Sequence, residues 1–127
     1  MKIGIINAGF ANITSVQNAL NESDINSELI NSINSSYDLI IMPGIGNFGY
    51  AMDSMKNSFL FEMILSHNQN QKPIIGICLG MQLLFKSSDE SPTTNGFGIL
   101  DGHFEKLDMP NKENFNGIFI QERDPVG

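Results

Sequence analysis

The chain has one cysteine, Cys78, no tryptophan and two histidines, His67 and His103, in 127 residues. A single thiol excludes an intramolecular disulfide and any multi-cysteine zinc or iron–sulfur cluster, and it fits a reduced cytoplasmic setting. Basic side chains are also scarce, 7 Lys and Arg against 14 Asp and Glu, for a net charge of -7. That acidic surface repels phosphate backbones, so no nucleic acid partner is expected. No apolar run approaches the roughly 20 residues that cross a bilayer, so no membrane partner is expected either. Met1-Lys2 leads straight into an apolar strand pattern with no small-residue cleavage site, which argues against secretion. There is no internal repeat and no low-complexity tract. A hydrophobic fraction of 41% in a chain this short suits one small domain.

What is present is a succession of short apolar runs. Lys2–Ile6 has three isoleucines and reads as a strand buried on both faces, stopping at Asn7-Ala8-Gly9. Ile13, Val16 and Leu20 recur at i, i+3 and i+7, which predicts a helix with Asn12 as N-cap. Ile25–Ile30 reads as a second strand, residues 31–36 as a loop, and Tyr37–Met42 as a third strand ended by Pro43 and Gly44. A short helix near Ala51-Met52 and a longer one carrying Phe59, Leu60, Met63 and Ile64 follow. Pro73 opens a fourth strand, Ile74–Ile77, and Met81, Leu84 and Phe85 fall at helical spacing behind it. Alternating strands and helices in this order predict an α/β fold, an open and mostly parallel sheet with helices on both faces. Ser87–Asn95 reads as a loop, His103–Leu107 as a strand, Asp108–Asn116 as linker, and Ile118–Ile120 as one more short strand.

Two segments carry chemistry. Gly76-Ile77-Cys78-Leu79-Gly80 lies where a buried strand turns into a helix. A nucleophile on such an elbow is held out at the carboxyl end of the sheet, where a helix N-terminus favours its thiolate. Bulk at Gly76 or Gly80 would crowd the turn. The competing reading is a small buried residue finishing a strand, since free cysteine is often inert. Pro43-Gly44-Ile45-Gly46 ends the preceding strand, and its N–H groups could face Cys78 and stabilise an oxyanion; by itself it could equally be only a turn. Gly44, Gly46 and Gly49 give this loop the freedom to approach a ligand closely. Gly44-x-Gly46-x-x-Gly49 lacks the context of a dinucleotide fingerprint, and neither a cofactor nor a metal is expected.

Pro43-Gly44-Ile45-Gly46-Asn47-Phe48-Gly49-Tyr50-Ala51-Met52, with Gly76-Ile77-Cys78-Leu79-Gly80-Met81-Gln82-Leu83-Leu84-Phe85, resembles a class I, triad-type glutamine amidotransferase. Within that family the glutaminase subunits of imidazole glycerol phosphate synthases are most similar. Gly9-x-x-Asn12-x-x-Ser15-Val16-x-x-Ala19-Leu20 fits them too, except that Asn7 replaces a usual aspartate and Ala11 a usual glycine. The resemblance covers residues 1–107 and implies a flavodoxin-like three-layer fold. It implies that Cys78 attacks the side-chain amide of glutamine, that ammonia leaves, and that water hydrolyses the thioester. It places the oxyanion hole at N–H groups near Ile45-Gly46 and at Leu79, with Gln82 holding the substrate; without it Gln82 reads as an ordinary surface residue. It also implies a (β/α)8-barrel cyclase partner that takes the ammonia for histidine biosynthesis.

The family completes its triad with a His-x-Glu pair far downstream. Here His103-Phe104-Glu105 places two such side chains on one strand face, but it aligns with a non-catalytic stretch of the family. His67 reads as a solvated or capping histidine. The chain is therefore expected to be incomplete at its C-terminus, with 108–127 a divergent or truncated tail and a strand edge left open. The alternatives are an amidotransferase subunit for a surface-sugar pathway and a non-catalytic remnant or partner-binding domain.

Overall fold

The computed structural model describes residues 1–106 and 118–119. In chain order the elements are β1 (Ile3–Ile5), β2 (Ala8–Gly9), α1 (Ile13–Glu22), β3 (Glu28–Leu29), β4 (Leu39–Ile45), α2 (Phe48–Lys56), α3 (Leu60–Gln69), β5 (Ile74–Cys78), α4 (Leu79–Leu83), β6 (Ser87–Ser88), β7 (His103–Lys106) and β8 (Ile118–Phe119). The linker expected at 108–116 lies outside the described residues.

The main sheet is parallel throughout. β4 is central, with β1 and β2 in tandem along one side, β5 along the other, and β3 outside β1. The chain runs outward from β1 to β3, then returns to build β4 and β5 on the opposite side. In such sheets that reversal opens a crevice beyond the carboxyl ends of the strands. β6 and β7 pair in parallel and β7 and β8 antiparallel, forming a second small sheet.

Alternation along β4 sorts the core into two layers. Ile41 joins Ile3 and Ile5 beneath Ile13, Val16 and Leu20 of α1, and Ile40 and Met42 face the layer of α2, α3 and α4. Fully buried Phe48, Met52, Ile64 and Leu83 fill that second layer, each worth about 1.5–3 kcal/mol relative to exposure. Asn12 caps α1 as expected, its Oδ1 accepting from the Ser15 N–H at 3.2 Å.

Four expectations are corrected, the first being the loop read at Ser87–Asn95, whose first two residues form β6 by pairing with β7. The third strand does not end at Pro43 and Gly44 but continues to Ile45. β1 pairs with residues 39–41 of β4 and β2 with 44–45, so Pro43 falls beside the break between them, where a missing N–H costs no ladder bond. β2 itself is the sheet resuming after that break. The second strand is only Glu28–Leu29, because Ile25 closes α1. Asp24, at φ 57°, donates its N–H to the Asn21 carbonyl, and the Ile25 N–H reaches the Leu20 carbonyl, the paired bonds of a Schellman cap without glycine. His67 is not solvated: at 7% exposure its Nε2 donates to the Pro73 carbonyl at 2.8 Å, tying the end of α3 to the start of β5.

Among the described residues β5 pairs only with β4, and Ile75 and Ile77, in register with Ile41 and Pro43, are 47% and 41% exposed.

Candidate active site

The site is built where β5 meets α4. Cys78 is the last residue of β5 and the N-cap of α4, with φ 54° and ψ -123°. Only an over-determined neighbourhood holds a non-glycine residue there. Its glycines supply that neighbourhood. A Cβ on Gly76 would lie 2.5 Å from the Met81 Cα, and one on Gly80 would lie 1.7 Å from the Met42 carbonyl oxygen. Backbone therefore packs on backbone from both sides of the elbow. Cys78 is exposed, so it is not the small buried residue of the competing reading.

β4 brings the glycine loop to the same place. Gly44 is the direct register partner of Cys78, and Pro43 that of Ile77. Neighbouring strands lie about 4.8 Å apart, so Gly44 and the nucleophile are adjacent. A Cβ on Gly44 would meet the Gly80 nitrogen at 3.0 Å and the Ala8 carbonyl oxygen at 2.5 Å. Beyond it the Ile45 carbonyl accepts the Phe10 N–H at 3.2 Å, on the β2 side of β4. The peptide is trans, so the Gly46 N–H points the opposite way, toward the β5 side where Cys78 stands. Gly46 has φ 115°, open to glycine alone, and its missing side chain leaves space with Phe10 the nearest neighbour at 3.7 Å. Leu79, the first residue of α4, is buried at 4%, and its N–H is among the first-turn donors that have no partner within the helix. One turn along α4 the amide oxygen of Gln82 is buried with no donor among the described residues.

Gly49 serves differently from the sequence reading. Its N–H donates to Ser91 Oγ at 2.8 Å, and a Cβ there would collide with that oxygen, so Gly49 admits a neighbouring loop. Glu90 beside it accepts the Phe48 N–H at 2.6 Å, and Asn47 caps the same helix by accepting from Tyr50 at 2.9 Å. The segment behind α4 thus pins the glycine loop at the N-terminus of α2, where a carboxylate is favoured. Asn47 was legible as an N-cap three residues before Tyr50; Glu90 and Ser91 carried no local signal. Phe10 and Tyr50, exposed at 72% and 62%, stack at 6.1 Å beside Gly46 on the rim of the crevice.

Neither histidine hydrogen-bonds to Cys78. His67 is committed to Pro73, and both ring nitrogens of His103 are engaged by Ser87 and Asp89.

The sequence profile of CobB/CobQ-like glutamine amidotransferase domains matches residues 5–114. With a strained cysteine elbow facing a glycine loop across a parallel sheet, the chain belongs to the class I glutamine amidotransferase family. Its relatives include the imidazole glycerol phosphate synthase subunit HisH of Thermotoga maritima, 36% identical over 113 residues, covering 84% of this chain and 56% of the relative. The HisH subunit of Prochlorococcus marinus (strain NATL2A) is 40% identical over 119 residues, covering 92% of this chain and 56% of the relative. The chain spans about half the length of these two relatives. A crystal structure of a glutamine amidotransferase shares the fold at TM-score 0.69 and 17% identity, over 81% of this chain and 55% of that one. So does a putative peptidase E from Listeria monocytogenes EGD-e, at TM-score 0.54 and 17% identity over 67% of this chain and 50% of that one.

Proposed function

We propose that this chain carries the nucleophile and oxyanion loop of a glutaminase that supplies ammonia for imidazole glycerol phosphate synthesis in histidine biosynthesis. The observation that carries the reading is the register pairing of Gly44 with Cys78, an exposed thiol on a strained elbow. Cys78 attacks the side-chain amide carbon of glutamine, and the developing oxyanion is met by the Gly46 and Leu79 N–H groups. Collapse releases ammonia and leaves a thioester, which water hydrolyses to glutamate. Gln82 holds the substrate: its amide oxygen is buried with no donor among the described residues, a deficit of about 1–3 kcal/mol that is relieved when the side chain turns its amide toward a substrate N–H.

The ammonia passes to a (β/α)8-barrel cyclase seated on the rim of Phe10, Ile45 and Tyr50. Exposed aromatic anchors of this kind suit a protein partner. Similarity to the HisH subunits supports that assignment. No histidine described here serves Cys78, and a general acid or base contributes about 100- to 10,000-fold, so turnover by these 127 residues is expected to be slower by that factor than in a complete triad.

A diazoketone analogue of glutamine tests the reading without requiring turnover. Incubation with the chain is expected to alkylate Cys78, mapped by mass spectrometry, and L-glutamine but not D-glutamine is expected to protect it. Absent labelling, or labelling that L-glutamine leaves unaffected, would support a non-catalytic remnant instead.

A further inference from the structure

β6 and β7 bring three further reactive side chains together, none of which the glutaminase reading uses. Ser87 and His103 are direct register partners across the parallel pair, as are Ser88 and Phe104. Ser88 and Phe104 are buried at 0% and 2%, so this face of the strand pair packs inward. Alternation sends Ser87 and His103 to the opposite face, and Asp89, two residues past Ser87, follows them. There the Ser87 hydroxyl lies 2.7 Å from His103 Nδ1, and His103 Nε2 lies 2.5 Å from Asp89 Oδ1.

The protonation pattern follows from these partners. An ionised carboxylate only accepts, so Nε2 carries the proton toward Asp89, and in the neutral ring Nδ1 then keeps a lone pair for the Ser87 hydroxyl. The imidazole is thus aligned as a base toward the serine, with a carboxylate behind it to stabilise the imidazolium. Those are the roles of a serine hydrolase triad, with the two ring nitrogens exchanged relative to the serine protease arrangement; roles and geometry define such a site. The His103 and Asp89 side chains are 34% and 48% exposed, so small molecules can reach them.

We propose that Ser87, His103 and Asp89 form a second nucleophilic centre, acting on small aryl carboxylic esters. Ser87 Oγ bonds to the ester carbonyl carbon while its proton passes to His103 Nδ1. The bond from that carbon to the phenolic oxygen breaks, and the phenolate leaves. The imidazolium gives up that proton to solvent, water then attacks the acyl carbon as His103 Nδ1 takes the water's proton, and His103 returns it to Ser87 Oγ as the acyl–serine bond breaks and the carboxylic acid departs. Base catalysis alone is worth about 100- to 10,000-fold, which suits esters whose phenolate departs without a proton donor.

The test uses p-nitrophenyl acetate with the chain carrying Cys78→Ala, which removes the thiol's own reaction with the ester. Release of p-nitrophenolate is expected to exceed that of the Ser87→Ala and Asp89→Asn derivatives by at least about 10-fold, with an acetyl group mapped to Ser87. Ser87→Cys is expected to restore His103-dependent acylation, which serves if Ser87→Ala fails to fold. Undiminished release from Ser87→Ala would overturn the proposal. So would release lost in His103→Gln but kept in Ser87→Ala, since the imidazole would then be attacking the ester itself.

Discussion

Replacing Gly80 by alanine tests the elbow most directly. The added Cβ would sit 1.7 Å from the Met42 carbonyl oxygen and 2.7 Å from the carbonyl carbon. Both atoms belong to the backbone of the central strand, so no rotamer change makes room. α4 must withdraw by about 1.5 Å to reach an ordinary carbon–oxygen contact. Overpacking of this kind costs about 3 kcal/mol, and with a urea dependence near 1.5 kcal/mol per molar the unfolding midpoint falls by about 2 M. The same withdrawal carries the Leu79 N–H away from the thiol, and a displacement of about 1 Å is worth about 100-fold in reaction rate. Equilibrium urea unfolding and the rate of Cys78 alkylation by the glutamine analogue are the two assays. Gly98→Ala is the control: φ there is 68° and the nearest neighbour of a Cβ is 3.9 Å away, so only backbone strain of about 1 kcal/mol applies. A Gly80→Ala midpoint within about 0.3 M of the parent, with unchanged alkylation, would refute the packing argument.

Glu90→Ala strips the acceptor from the Phe48 N–H and is expected to lower stability by about 1 kcal/mol, read as a urea midpoint that becomes less salt-dependent than the parent's. His67→Ala removes a buried ring and its bond to Pro73, with an expected loss of about 2–3 kcal/mol by thermal or urea unfolding. Ile75→Lys, on a face left half-exposed by the described residues, is expected to change stability by no more than about 0.5 kcal/mol while reducing concentration-dependent association in sedimentation; a large destabilisation would show that the face is covered. Asp38 accepts the Lys2 backbone N–H at 2.6 Å, and this bond, helped by the N-terminal ammonium and Lys72, holds its carboxyl below the ordinary 3.8. The folded chain therefore takes up that proton less readily than the unfolded one, so the contribution is complete above pH 3.8 and fades as pH falls below it. Asp38→Asn is expected to flatten the acid limb of the stability curve measured by urea unfolding.

Local signals were enough where one residue type dictates one geometry. The isoleucine run of β1 marked a buried strand, the spacing of Ile13, Val16 and Leu20 with Asn12 marked α1, and glycines on both sides of Cys78 marked the elbow, whereas the run at Ile74–Ile77, read as buried, lies in a strand that is half-exposed among the described residues. What stayed hidden depends on partners distant in sequence. A proline ends a strand by default, and only the gap between β1 and β2 lets β4 run through Pro43. His67 looks solvated among polar neighbours until α3 folds back onto Pro73. Glu90 and Ser91 reach the start of α2 across 42 residues, a separation that no window of periodicity spans. Asp24 at positive φ shortened the second strand in a place where no glycine announced a helix stop.

The backbone angle at Cys78 sets stability against chemistry. A side chain held at φ 54° and ψ -123° stores on the order of 1–3 kcal/mol, and Cys78→Gly would release part of it at once. The same replacement deletes the thiol, so at this position the more robust chain is the one without the nucleophile proposed above. Purified Cys78→Gly melting higher than its parent would measure the size of that conflict.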